Sequence, residues 1–442
     1  MQVRHKKKLL LFLAIVVATS ALRSIDNAHN YKAPHLYRST TTCWFDGDQK
    51  EETRNWLTKL DLSYAYGDAG SCWDKNGDSA PLLNGAGNYN MLYLFENVQL
   101  NPSVQNYANF LGNALNNHEA ATGTFGQLKF DGKFELNDFN INIRQNIKSG
   151  FFLELLLPIR DLKIKNISYE DLSPEIGIYN KNRWEWQNFL NNIDTVLSNY
   201  GLAEHNANYS KTSLGDMSFL VGWQGVNEVE DSDVCEFLGL TIKTGLLFPT
   251  SSKDNENYVF SLPTGYNGHW AWPIFAQFDL GLRSWFVVSA HAGINIFFED
   301  KNRQRHMKTF DKQSGYIKLS SGEAEEDLGN LWHVGFDAKF DHFVKGLSFL
   351  AGYSYSRQED TDLDPKDTTY FAKSVVNSDP TLASWYMHTL HFMLDYDFSV
   401  HMKMKKWAPR LSLSYDYPFD GKNSFKTDLI GGSLGLDIRW EI

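Results

Sequence analysis

The feature that most constrains this chain is a period-two alternation of apolar and polar residues, which recurs from residue 56 to the C-terminus. In one stretch the apolar members share one parity, at Leu128, Phe130, Phe134 and Leu136. The charged members of the other parity are Lys129, Asp131, Lys133 and Glu135. Because successive side chains of a β-strand point to opposite faces, each such stretch predicts a strand with one apolar face. About fourteen such stretches occur, so we expect an all-β fold.

An apolar strand face can pack in a soluble core or contact lipid, and periodicity alone does not choose between them. Long strands and aromatic residues at strand ends favour lipid. The final strand points the same way, because its apolar face ends in Ile438, Trp440 and Ile442. It resembles the terminal strand of bacterial outer-membrane β-barrels, which serves as their assembly signal, although Ile442 stands where an aromatic residue is usual.

This resemblance implies a transmembrane antiparallel barrel over residues 56–442 in the bacterial outer membrane. It implies outer-membrane lipid, lipopolysaccharide and the barrel-assembly machinery as partners, and it leaves open whether the chain forms a homo-oligomer. In size and strand count the chain also resembles the fatty-acid transporter class, whose N-terminal segment fills the lumen. Residues 22–55 are accordingly a candidate plug.

The N-terminus indicates export. Arg4 and the lysines at 6–8 precede an apolar run over 9–17 and then small residues, which is typical of a cleavable signal peptide over 1–21. The net charge of −11 disfavours nucleic acid as a partner. Whether Cys43 and Cys72 form a disulfide stays open, because sequence does not show how closely their backbones approach.

Connections and turns set the predicted topology. The alternation predicts a hairpin with its turn at Asn137 and Asp138, a further turn at 160–161, and a bulge after Ile164. Long and short connections then alternate, as the two ends of such a barrel require, except that the turn near Lys148 is a short outer loop. In two long loops the apolar residues recur at helical spacing, and Asn101 is a candidate N-cap for the first of these helices. We expect each helix either to pack on other loops or to narrow the mouth of the barrel.

The polar face of each strand would point into the barrel, where function is expected. The candidate lumen-lining residues are Lys129, Asp131, Lys133, Glu135, Arg144, Asp279, Asp337, Lys339, Asp395, Asp397, Asp437 and Arg439. Their mixed signs suit a hydrated channel with a weak ionic preference. The alternative is a packed network of ion pairs that only stiffens the barrel. Fourteen strands lie between barrels that fill their interior and those that leave a channel.

Several histidines and a serine motif are candidate sites. A G-x-S-x-G string centres on Ser433, but a nucleophile elbow needs a strand, a sharp turn and a helix, and a strand pattern continues here. His388 and His391 are three apart on a strand, so they face opposite sides and do not chelate one ion. His291 and His333 have the interior parity and are expected to be solvated lumen residues.

One acidic loop resembles the start of a calcium site. Asp74, Asn76 and Asp78 surround a glycine, but the closing glutamate of such a loop is replaced by Gly85. We therefore expect no metal, no cofactor and no catalytic residue. The sequence predicts a passive channel for small polar solutes. The alternatives are a plugged transporter for hydrophobic ligands and a surface-interaction protein on a closed barrel.

Overall fold

The computed structural model describes residues 56–229, 234–283, 285–401 and 407–440. The predicted signal peptide, the candidate plug, Cys43 and Ile442 lie outside these residues. Twelve strands form a barrel, and their bounds are Leu57–Ala69 (β1), Gln127–Asn146 (β2), Phe151–Asp171 (β3), Met217–Glu228 (β4), Phe237–Phe248 (β5), Ala271–Arg283 (β6), Phe286–Phe297 (β7), Leu331–Val344 (β8), Leu347–Gln358 (β9), Trp385–Asp397 (β10), Trp407–Lys422 (β11) and Asp428–Arg439 (β12).

Each barrel strand pairs antiparallel with the next along the chain, and β12 pairs with β1 to close the ring. In that closing pair Leu60 lies opposite Leu436, and Leu62 lies opposite Leu434. Two short strands at Tyr89–Asn90 and Tyr209–Leu214 pair beside β2 and β3. The main sheet therefore holds fourteen strands, of which twelve close the barrel.

The connections differ strongly in length between the two ends of the barrel. At one end, which we call the loop end, they span 70–126, 172–216, 249–270, 298–330, 359–384 and 423–427. At the other, the turn end, they span 147–150, 229–236, 284–285, 345–346 and 398–406. The turn after β2 shows why the chain reverses so tightly: Ser149 and Gly150 have φ of 54° and 83°, the positive values that two-residue hairpins favour.

Strands β2 and β3 correct the predicted hairpin. Both run straight through the expected turns at Asn137–Asp138 and at 160–161, with 20 and 21 residues. Because these two turns do not exist, the turn near Lys148 lies at the turn end with the other short ones. The bulge predicted after Ile164 is confirmed, since the pairing shifts between Asp131–Ser168 and Lys133–Lys165.

The outward side of the barrel carries an apolar belt. Its exposed side chains include Val221, Leu240, Ile242, Phe278, Val334, Phe336, Leu394, Leu411, Leu413, Ile430 and Leu434. Tryptophans flank it with their indole N–H groups bonded: Trp440 donates to Thr58 Oγ1 at the turn end and Trp272 to Thr244 Oγ1 at the loop end, both at 2.7 Å. Such an apolar band between aromatic girdles is typical of barrels that cross a membrane.

The loop end is covered by a folded unit, the cap, made by residues 70–126, 172–216, 249–270, 298–330 and 359–384. It contains the helices Gln105–Leu115 (α1), His118–Thr122 (α2), Trp184–Asn191 (α3), Ile193–Ser198 (α4) and Lys373–Val376 (α5). The cap also holds a small sheet made by Asp300–His306, Ser321–Asp327 and Asp362–Pro365. Within the described ranges, no helix is both long and apolar enough to cross a membrane.

Candidate functional site: the barrel interior and its cap

The inward side of the barrel wall, which we call the interior face, is polar and its charges are paired. The Lys243 ammonium on β5 lies 3.2 Å from the Glu154 carboxylate on β3, and Asn142 donates to the same carboxylate at 3.3 Å. The Lys243 and Glu154 side chains are almost fully buried. Because an unpaired buried charge is costly, this pairing is what allows the wall to carry charge there.

A second charged group spans the closing strands. The Asp437 carboxylate on β12 lies 3.2 Å from the Arg410 guanidinium on β11 and 3.6 Å from the Lys59 ammonium on β1. Nearer the loop end, the Arg160 guanidinium contacts Asp138 at 3.0 Å. Both signs therefore line the interior face.

The opposite part of the wall, from β6 to β11, is rich in aspartate and hydroxyl groups. Ser289 donates to Asp279 at 2.6 Å, and Ser412 donates to Asp395 at 2.7 Å. The His391 imidazole contacts the Asp416 carboxylate at 2.9 Å. Hydroxyl and imidazole groups therefore take the place of lysine and arginine as partners of several carboxylates on this side.

Eight of the twelve predicted lining residues have the inward parity of their strands. Seven of them are buried there, namely Arg144, Asp279, Asp337, Lys339, Asp395, Asp397 and Asp437. The eighth is Arg439, two residues after Asp437 on β12, and it is half-buried.

The other four predicted lining residues point the opposite way. Lys129, Asp131, Lys133 and Glu135 occupy the outward parity of β2, and Lys133 pairs with exposed Asp68 at 3.0 Å. Their apolar neighbours Leu128, Phe130, Phe134 and Leu136 are buried inward. This corrects the prediction. Here β2 has passed beyond the apolar belt, so its outer side bears charges and its inner side packs under the cap.

The cap has its own apolar core. Four of the five cap connections, 70–126, 172–216, 249–270 and 298–330, share one cluster of buried side chains with the loop ends of β1, β2 and β3 and with Phe425 of the connection 423–427. Aromatic rings hold it together: Phe125 lies 5.2 Å from Trp186, and Tyr107 of α1 lies 5.9 Å from Phe189 of α3. Both predicted loop helices therefore pack on neighbouring loops. The Asn101 side chain accepts from Ser103 N, which confirms its capping role.

Buried charges tie the cap together. Burial alone would raise the pKa of Glu326, and the Arg303 and Arg305 guanidiniums hold it well below its usual range. Asp379 behaves similarly, since contact with the Lys318 ammonium outweighs burial and lowers its pKa. Burial lowers the pKa of His306 to about 4. The cap is thus a folded unit with a specific polar network inside it.

The remaining motifs do not assemble chemical sites. Ser433 lies within strand β12, so the strand–turn–helix of a nucleophile elbow is not formed around it. The Asp74 carboxylate accepts from the N–H groups of Asn76 and Asp78, which closes a turn. Cys72 is a free thiol that donates to Pro81 O at 3.2 Å, and burial raises its pKa to about 12.

The histidines differ in part from their predicted surroundings. His388 and His391 face opposite sides: His388 contacts the Tyr353 hydroxyl at 2.7 Å, and His391 contacts Asp416 inside. His291 and His333, predicted to be solvated, are buried against each other. Sequence reasoning missed this pair because its members lie on different strands. In the part of the chain that the structure describes, no three His, Cys, Asp or Glu side chains converge as metal ligands.

A cavity of about 480 Å³ lies at the turn end beside the β2–β3 turn. The cavity lies in the barrel wall beside the first residues of β3, because β4 and β5 extend further at the turn end than β3 does. Outward apolar and inward polar side chains both line it, among them Trp223, Leu238, Leu240, Phe278, Arg144 and Asn146. The cavity therefore touches the apolar belt and the interior face at once.

The geometry defines a twelve-stranded, up-and-down β-barrel with a polar interior face and a folded cap. No protein-family model and no curated protein matches the chain. Among solved structures, it is similar to an outer membrane channel from Pseudomonas putida F1, with 10% identity, a TM-score of 0.46, and coverage of 89% of this chain and 100% of that chain.

Two further similarities are weaker. One is to the translocator domain of the autotransporter NalP from Neisseria meningitidis, with 8% identity, a TM-score of 0.34, and coverage of 87% and 89% of the two chains. The other is to the toluene transporter TodX from Pseudomonas putida, with 11% identity, a TM-score of 0.30, and coverage of 87% and 89%. The pairing of this chain's own strands, and not these similarities, shows that it forms a closed barrel.

Proposed function

We propose that this chain is a bacterial outer-membrane barrel through which small polar solutes diffuse passively. The observation that carries the proposal is the interior face, where paired charges of both signs, such as Lys243 with Glu154, line the wall. A polar lining of this kind lowers the cost of moving hydrated solutes past an apolar belt. The signal peptide over 1–21 delivers the chain across the inner membrane.

The paired charges set the expected ion preference. A lysine 3.2 Å from a glutamate presents little net charge to a passing ion, so neither sign of ion is strongly repelled. The excess of aspartates between β6 and β11 adds a modest preference for cations. The cap lies at the loop end, and its packed helices narrow the path into the barrel.

Conductance in planar lipid bilayers tests this function. Purified full-length protein is compared with a variant lacking residues 22–55, the candidate plug, after heat-modifiable migration has shown that both are folded barrels. We expect steady ohmic steps that grow larger in the deletion. Persistent silence from both proteins, despite folded insertion into vesicles, would contradict the channel.

A transporter for hydrophobic molecules is the second candidate, and the cavity at the turn end favours it. Apolar side chains of the belt, including Trp223, Leu240 and Phe278, share that cavity with inward Arg144. Under this function, Leu240→Ala would weaken the binding of a fluorescent long-chain probe. Leu413→Ala, on the belt away from the cavity, is the matched control. Equal binding by both variants would remove this candidate.

A further inference from the structure

Two buried histidines meet head to head on the interior face. His291 on β7 and His333 on β8 place their Nε2 atoms 3.0 Å apart. The ring centroids are 5.1 Å apart and the ring planes differ by 19°. The rings therefore meet nitrogen to nitrogen, nearly in line, rather than face over face.

This geometry fits a proton between the rings and not a metal ion. Because the two rings meet nearly in line, a metal ion bound by both Nε2 lone pairs would have to lie between the two atoms, and half of the 3.0 Å separation is shorter than the about 2.0 Å that a metal–imidazole bond needs. Two bare nitrogens would also repel each other at this distance. One of the two Nε2 atoms must therefore carry a proton and donate it to the other.

The far side of each ring has its own partner. His291 Nδ1 lies 3.3 Å from the Asp337 carboxylate, whose negative charge favours a proton on Nδ1. His333 Nδ1 lies 3.0 Å from the Ser356 hydroxyl, which can donate to it. In the neutral pair His333 Nε2 then donates to His291 Nε2, and one chain of polar contacts crosses β7, β8 and β9.

Glycines make the room for this arrangement. A Cβ at Gly335 would lie 2.3 Å from His291 Nε2, and a Cβ at Gly352 would lie 2.1 Å from Asp337 Oδ1. Both positions have the interior parity: Gly335 on β8 lies opposite His291, and Gly352 on β9 lies opposite Asp337. The space for the His291 ring and the Asp337 carboxylate therefore depends on two missing side chains.

The surroundings favour uptake of one proton. Besides Asp337, the facing groups are Asp279 with Gln277 on β6, Ser289 on β7, Ser354 and Ser356 on β9, His391 on β10 and Asp416 on β11. The Lys243 ammonium lies on the far side of the Phe275 ring, which itself contacts His291. Three carboxylates, of Asp279, Asp337 and Asp416, and no directly facing lysine or arginine thus surround the pair among the described residues.

We propose that His291 and His333 form one shared proton site that sets the ion preference of the channel according to pH. The proposal rests on the channel function given above. In the neutral pair the proton between the rings is already present, so the first proton taken up goes to His333 Nδ1, where the Ser356 hydroxyl turns from donor to acceptor. The resulting imidazolium still donates from Nε2 to His291, and the Asp337 carboxylate stabilises its charge. A second is opposed by the repulsion of two adjacent imidazolium cations, so its uptake separates the rings. Each proton makes the interior face less negative, and cation preference therefore falls as pH falls.

Nitrogen NMR of histidine-labelled barrels in micelles tests the shared proton without any need for conduction. Across about pH 8 to pH 5, on both sides of the usual histidine pKa, we expect the pair to titrate in two separated steps. His291→Gln should collapse the two steps to one. Gly335→Ala should do the same without removing either histidine. His388→Gln, on the outward face, is the matched control.

Reversal potentials in a salt gradient test the functional half. The cation preference of the wild-type channel should fall on acidification, and that of His291→Gln and His333→Gln should change at least twofold less. Independent titration of the two histidines would overturn the shared site. A shared site with an unchanged reversal potential would overturn its role in ion preference. A folded barrel that never conducts would instead remove the channel function itself, while NMR still decides the proton site.

Discussion

The Trp186 indole donates a 2.8 Å hydrogen bond to the Asp171 carboxylate, joining helix α3 of the cap to the loop end of β3. Trp186 is fully buried and its ring stacks on Phe189. We predict that Trp186→Ala destabilises the cap by about 3 to 5 kcal/mol, because it leaves a cavity in the cap core. Trp184→Ala, at an exposed neighbouring position, is the control and should have little effect. Hydrogen exchange of cap amides measures both, and similar exchange rates would contradict the prediction.

Removing one partner of the Lys243–Glu154 ion pair should destabilise the barrel more than removing both. Lys243→Met leaves a buried carboxylate without its cation, which we expect to cost about 3 to 5 kcal/mol. Adding Glu154→Leu should restore most of that loss. Lys165→Met breaks a pair with Glu135 on the outward side, which is partly exposed, and should cost at most about 1 kcal/mol. Urea unfolding in vesicles measures the free energy of unfolding of each variant. Equal losses of this free energy for Lys243→Met and Lys165→Met would show that burial does not set the strength of these ion pairs.

The apolar belt makes a depth-dependent prediction for the proposed bilayer. Leu434 lies near the middle of β12 and its side chain is 61% exposed, while Ile430 lies nearer the loop end at 63%. Leu434→Arg should cost about 2 to 4 kcal/mol and Ile430→Arg about 1 kcal/mol or less. Folding into lipid vesicles measures the difference. Equal costs at the two depths would place the bilayer elsewhere.

The cap should lose stability in acid because of His306. Burial lowers the pKa of this group to about 4, so the unfolded chain takes up a proton at a higher pH than the folded cap does. The contribution of neutral His306 to the free energy of unfolding of the cap is therefore fully present above about pH 6.5, the usual histidine pKa. About 3 kcal/mol of this contribution is lost as the pH falls towards 4. His306→Gln should remove this dependence. His118→Gln, exposed on α2, should leave it in place, as proteolysis of the cap across that range would show.

Much of the barrel was predictable from local pattern. Alternation placed strands such as β1, β7 and β12 correctly because half-buried strands need one apolar face. Helix α1 followed from its spacing and from Asn101, and the spacing from Trp186 to Tyr200 anticipated helical structure that the cap divides into α3 and α4; α2 and α5 were not predicted. By contrast, the turn expected at Asn137 and Asp138 is absent. Two polar residues inside one long strand give the same sequence pattern as a turn between two shorter strands, and the sequence does not show where the strand ends.

The candidate site was less predictable. The inward parity of Asp279 and Asp337 follows from alternation on their own strands. The meeting of His291 with His333 depends on the register of β7 against β8 and on room left by Gly335, and neither is written in one segment. The ion pair of Lys243 with Glu154 likewise joins strands that are not neighbours in the ring.

The sequence by itself determined which residues share a strand face. It did not determine what lies against that face, and β2 shows why. Its inward parity carries Phe130 and Phe134 near the loop end and Arg144 near the turn end, so one face is apolar and then polar along its length. Only the tertiary structure decided this, because cap segments distant in sequence offer an apolar surface beyond the belt, while within the belt the interior is polar.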